Sequence, residues 1–187
     1  MSERKQQILQ TAIEIIADEG YSSLSMRALA RASGMKLGAL QYHFRTSDDM
    51  LRALAEFIAA EYARAFEEFS SSDAPPTIRD IAIFMLDDEA GAEMLSDRLW
   101  PQLWAMQSVE PLMMDLVQDI YAIYLQFMED ALVKLGNKSP RAEALCLMSL
   151  LEGELLFAGE GRRWNADRQA VRETALDFID ARYGAKS

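Results

Sequence analysis

Lys36, Gln41, Tyr42 and His43 fall close together in GMKLGALQYHF, residues 34–44, a stretch without a single Asp or Glu. A glutamine amide can serve adenine N6 and N7 together, and lysine, tyrosine and imidazole groups can donate to phosphate oxygens. A carboxylate on the same surface would face phosphates and be repelled. His43 is the only histidine, and the lone Cys146 lies far along the chain, so a zinc site would depend almost wholly on carboxylates. No metal and no cofactor is expected. Catalysis is not expected either: Ser/His/Asp and Cys/His arrangements and phosphate loops are absent, and Glu152 and Glu154, two apart on a helix, point in different directions.

The elements that would hold this stretch are readable in the spacing. Ile8, Leu9, Ala12, Ile13 and Ile16 recur at helical intervals and Gly20 follows as a stop, which predicts a helix over 4–19. Ser25 suits the N-cap of a second, shorter helix with Leu29 and Ala32 inward, ended by Ser33 and Gly34. From Lys36 to Phe44 a third helix places Leu37, Leu40 and Phe44 on one face. Lys36, Gln41 and His43 then point outward, with Tyr42 near the boundary. A long helix followed by two short ones across a glycine turn is a helix-turn-helix arrangement, whose last helix enters a DNA major groove.

Charge supports a local contact. The 187 residues carry a net charge of −11, yet residues 1–54 hold seven Lys/Arg against six Asp/Glu and residues 55–187 twelve against twenty-four. Only the N-terminal part can approach a polyanion, and the acidic remainder would orient it. The chain opens Met1-Ser2-Glu3-Arg4-Lys5 without an apolar leader, and charge interrupts every apolar run, so a cytoplasmic protein with no membrane association is expected. Cys146, among Leu145, Leu147 and Met148, reads as a small buried hydrophobe.

GYSSLSMRALARASGMKLGALQYHFRTSDDML, residues 20–51, resembles the DNA-binding signature of TetR-like transcriptional repressors. The matching positions are Gly20, Tyr21, Ser25, Arg27, Leu29, Ala30, Gly34, Gly38, Leu40, His43, Phe44 and Leu51. The resemblance covers roughly residues 4–54. It implies that Arg27, Leu37, Gly38, Ala39 and Gln41 approach bases and that Ser25, Lys36, Tyr42 and His43 hold phosphates. Three positions depart from the pattern: Lys36 replaces a usual Ser, Gln41 a usual Tyr, and Ser47 a usual Lys. The last departure removes a phosphate contact.

The rest of the chain reads as helices over about 77–87, 93–106, 110–136, 139–160 and 166–183, after a long helix from Ser47 and a loop at SSSDAPP, residues 70–76. The expected fold is all-α with about nine helices. Residues 1–46 form a helix-turn-helix DNA-binding domain, and residues 47–187 form a larger helical domain for effector binding and dimerisation. Phe84, Trp100, Trp104, Met113, Tyr121 and Tyr124 are the candidate lining of a pocket for a small hydrophobic effector. Residues 139–160 are apolar almost all round, which calls for two packed sides; Leu150, Gly153 and Phe157, with Phe178 on the last helix, are the expected homodimer interface. Glu152 and Glu154 are expected on an exposed flank. The function that follows is a ligand-responsive regulator, a repressor binding a pseudo-palindromic double-stranded DNA operator as a dimer. The alternative is a helical ligand-binding or protein-interaction dimer with little DNA affinity.

Overall fold

Helix α1 (Glu3–Glu19) begins where the Ser2 hydroxyl accepts the Lys5 N–H, and ends where the Gly20 N–H returns to the Ile16 carbonyl. Gly20 adopts φ +85 and ψ 159, a region essentially closed to residues with a Cβ. Our computed structural model describes residues 1–71, 74–87 and 98–184. Among them the regular structure is helical throughout: α1, α2 (Met26–Ala32), α3 (Leu37–His43), α4 (Ser47–Ser70), α5 (Ile78–Asp87), α6 (Leu99–Met106), α7 (Pro111–Lys134), α8 (Pro140–Ala158) and α9 (Arg168–Tyr183). The all-α expectation holds. Of the predicted helix over 93–106, residues 93–97 lie outside the described residues.

The chain forms two compact units, residues 1–64 with 91–118 and residues 65–90 with 119–187. In the first, Ile8, Leu9, Ala12, Ile13 and Ile16 of α1 are buried with Leu29, Leu40 and Phe44. Helix α6 also packs on α1, with Leu99, Trp100, Leu103 and Met106 buried. In the second, α5, α8 and α9 pack together. Phe66, Phe69, Phe84, Tyr124 and Phe127 make a continuous aromatic cluster there, with Phe69 stacked on Phe84 at 4.3 Å between centroids.

Two N-termini use a device that hydrophobic spacing did not indicate. Thr46 caps α4: its hydroxyl accepts the Asp49 N–H while the Asp49 carboxylate accepts the Thr46 N–H, each at 3.1 Å. Thr77 and Asp80 repeat the exchange at α5.

Three buried-versus-exposed expectations are corrected. Ala32, expected inward on α2, is exposed, because Leu29 and Ala30 take the inner face. Cys146 is exposed on α8, because the neighbouring positions that face inward are Ala144, Leu147 and Met148. Glu154 is only 3% exposed rather than on a solvated flank, and its charge is compensated by Arg168 at the start of α9. Glu152 is half-buried.

Candidate nucleic-acid interface

The turn between α2 and α3 sets the geometry of residues 34–44. Gly34 has φ +66; its N–H returns to the Arg31 carbonyl at 3.1 Å and the Met35 N–H to the Ala30 carbonyl at 2.9 Å. These paired bonds stop α2 and need the left-handed residue that glycine supplies at least cost. The backbone then re-enters helix at Leu37 with Lys36 as N-cap.

Helix α1 holds α3 in place from behind. Leu40 and Phe44 are buried, the Lys5 ammonium lies 5.0 Å from the centre of the Phe44 ring, and Arg4 donates to the Ser33 carbonyl at 3.0 Å. What remains on the outer side is Lys36, Gly38, Ala39, Gln41 and Tyr42, all exposed, with Leu37 and His43 half-buried. Tyr42, expected near the boundary, is 90% exposed, since its position on a helix of only seven residues meets no neighbouring element. Its ring meets His43 edge-on at 5.8 Å, and His43 lies 6.5 Å from Phe44. The imidazole is half-buried, with both rings near it.

Ser25 and Arg27 are exposed at the start of α2. Ser25 is the N-cap, as its type predicted: its hydroxyl oxygen accepts the Ala28 N–H at 3.1 Å, which leaves the hydroxyl proton available to another acceptor. From Gly20 to Ser47 no Asp or Glu occurs, whereas Arg27, Arg31, Lys36 and Arg45 do, all four exposed. The surface is small, cationic and rich in donors.

Behind it, Tyr21 reaches Glu110 and Asp18 pairs with Arg98, which ties the segment after α1 to the two ends of the α6 region. Neither pair has a sequence signal, since the partners are 89 and 80 positions apart.

Comparison with known proteins adds to this geometry. Residues 8–54 match the tetR family of bacterial regulatory proteins. This stretch is TetR-like. The HTH-type transcriptional regulator BetI of Proteus mirabilis (strain HI4320) is 29% identical over 113 residues, 58% of this chain and 56% of that protein. The chain thus spans about half the length of the first curated relatives it matches. The HTH-type nicotine-responsive transcriptional repressor HdnoR of Paenarthrobacter nicotinovorans is 25% identical over 162 residues, 81% of each chain. A protein from Saccharomonospora viridis solved in complex with choline superposes with a TM-score of 0.75 at 21% identity, covering 98% of both chains. A putative TetR-family transcriptional regulator from Rhodococcus sp. superposes with a TM-score of 0.72 at 24% identity over 96% of this chain and 98% of that one, so the likeness in fold extends past residue 54 to the helical remainder.

The remaining candidate residues fall as follows. Trp100, Trp104 and Met113 belong to the first unit, where Trp100 lies 5.7 Å from Tyr62 and 6.4 Å from Trp104. Phe84, Tyr121 and Tyr124 belong to the second, where Phe84 and Tyr124 share the aromatic cluster and Tyr121 is hydrogen-bonded to Glu152. On α8 and α9, Leu150 is 41%, Phe157 58% and Phe178 61% exposed, with Gly153 half-exposed between them. Leu145, Leu156 and Val171 extend this uncovered apolar face.

Among the described residues no helix is long and apolar enough to cross a membrane.

Proposed function

We propose that this protein is a ligand-responsive, DNA-binding transcriptional regulator, a repressor that binds a pseudo-palindromic operator as a homodimer in the cytoplasm. The carrying observation is the outward face of α3, where Lys36, Gln41 and Tyr42 stand clear of a core that fixes the helix from behind. Residues 1–46 are the DNA-reading part and residues 47–187 the effector and dimerisation part. Arg27, Leu37, Gly38, Ala39 and Gln41 approach base edges, the two small residues letting the backbone come close. Ser25, Lys36, Tyr42 and His43 hold phosphates.

A single seven-residue helix makes few contacts, so a twofold dimer reading two half-sites supplies the specificity. The uncovered apolar face of α8 and α9, around Leu150, Gly153, Phe157 and Phe178, supports that assembly. A nicotine-responsive relative and a choline-bound structural neighbour support a small organic effector. Phe84, Tyr121 and Tyr124, all in the second unit, are its proposed contacts. Reversing a 1:99 population to 99:1 takes a differential of about 5.5 kcal/mol, within reach of a ligand buried in only one state.

The test is selection of source-genome fragments by the purified protein, followed by gel shift. Enrichment of a pseudo-palindromic sequence is expected. Fragments no better bound than random DNA would overturn the assignment and favour a helical interaction dimer.

A further inference from the structure

The second unit contains a cavity of about 300 Å³ away from the aromatic cluster, bounded by the segment leading into α5, the end of α7 and the last turns of α9. Its walls are apolar: Pro76, Ile78, Ala131, Leu135 and Ile179. Neither Phe84, Tyr121 nor Tyr124 lines it. Its charged groups are three. Arg79 and Asp180 are paired with each other and cancel, while Lys134, exposed on the last turn of α7, forms no ion pair among the described residues. The two uncharged polar groups are also engaged, the Thr77 hydroxyl with Asp80 and the Tyr183 hydroxyl with Glu143. The cavity therefore presents an apolar interior with one uncompensated positive charge at its rim, in a protein of net charge −11.

We propose that this cavity is a second small-molecule site, selective for an apolar monocarboxylate whose chain lies against Ile78, Ala131 and Ile179 and whose carboxylate meets Lys134. Small-ligand sites combine such an apolar lining with a few placed polar groups, and the volume is at the small end of their range. A cation would meet Lys134 with nothing to offset the repulsion, because Asp180 is already held by Arg79. A neutral amphiphile would gain the lining but not the charge. Occupancy also has a route to the surface of α8 and α9. Ile179 and Tyr183 line both this cavity and the groove containing Cys146, Leu150 and Phe178, so a ligand here braces the terminal turns of α9 from the opposite side.

The test uses the full chain with octanoate, 1-octanol and octylamine as probes, read by calorimetry and by methyl NMR. Octanoate is expected to bind about twofold to fivefold tighter than 1-octanol, the size of an exposed charge pair. The shifted methyls should include those of Ile78, Ala131 and Ile179. Lys134→Met should bring octanoate down to the level of 1-octanol, and Lys134→Glu should make octylamine the preferred probe. Lys134 is exposed, so neither change threatens the fold. Octanoate binding no tighter than 1-octanol would overturn the proposal. So would an affinity order unaltered by Lys134→Glu, or methyl shifts elsewhere than around this cavity.

Discussion

The Tyr21 hydroxyl donates to Glu110 Oε1 at 2.5 Å, joining the turn after α1 to the residue that precedes α7. Burial, followed by this hydrogen bond and the Glu110 charge, pushes the Tyr21 phenol up to about 12, so it stays a neutral donor at every physiological pH. Beside it, Arg98 and Asp18 pair at 2.5 Å and Gln102 comes to 3.6 Å of where a Cβ on Gly20 would sit. The end of α1 is thereby held against the α6 region by two polar pairs.

Tyr21→Phe removes the donor and leaves the half-buried Glu110 carboxylate short of a partner. A loss of about 1 kcal/mol in unfolding free energy is expected, measured by denaturant titration at pH 7. Because the folded-state value lies above the unfolded one near 10, the wild-type advantage should persist up to about pH 10 and fade as pH rises toward 12. An advantage lost at neutral pH would remove the hydrogen bond as its source.

Glu152 is pushed up to about 7, first by burial and then by the nearby Glu154 charge, against the opposing hydrogen bond from Tyr121. Its raised value means that its contribution is fully present below about pH 4.5 and is lost as pH rises through 7. Glu152→Gln should leave the melting temperature nearly unchanged at pH 4.5 and raise it at pH 8. Equal shifts at both values would show that the carboxyl does not titrate in this window.

Glu143 behaves in the opposite sense. Hydrogen bonds from Arg182, Tyr183 and Asn137 hold it down to about 2, with Arg182 Nε at 2.7 Å. Its contribution is present above about pH 4.5 and is lost as pH falls toward 2. Glu143→Gln should therefore destabilise the protein at pH 7 and match wild type near pH 2, as followed by circular dichroism; a gap that is constant with pH would contradict the assignment.

Gln41→Ala should relax preference at one base pair of each half-site, worth about 1 to 3 kcal/mol of discrimination, with little effect on random DNA. Lys36→Ala should weaken binding to all sequences together and flatten the salt dependence. Selection from randomised operators distinguishes the two. An unchanged preference with Gln41→Ala would remove its base-reading role.

Within the protomer a Cβ on Gly153 would meet only the Phe157 ring, at 3.9 Å, so Gly153→Leu leaves the monomer's own packing nearly intact. On the proposed dimer face the added side chain would stand beside Leu150 and Phe157 and hold the partner off. Sedimentation should then show monomers of native helicity at micromolar concentration, while an intact dimer would place the interface elsewhere.

Much of this protein was legible before any coordinates, and for local reasons. Helices α1 to α3 follow from apolar spacing, the Ser25 cap and the glycines at 20 and 34, all set by interactions within a few residues. The acid-free run of residues 20–47 is likewise a property of composition, and it marked the same surface that α3 presents outward. Tertiary structure decided what depends on partners distant in the chain. An apolar residue on a helix is suited to a core and to an interface alike, so Cys146, which reads as core, is placed on the surface only by the way α8 packs. A carboxylate declares nothing about its own burial. Glu154 went inside because Arg168, fourteen positions on, returns through the α8–α9 turn to pair with it. Tyr21 and Glu110 meet across 89 positions for the same reason: the fold closes that loop, and no local spacing encodes it.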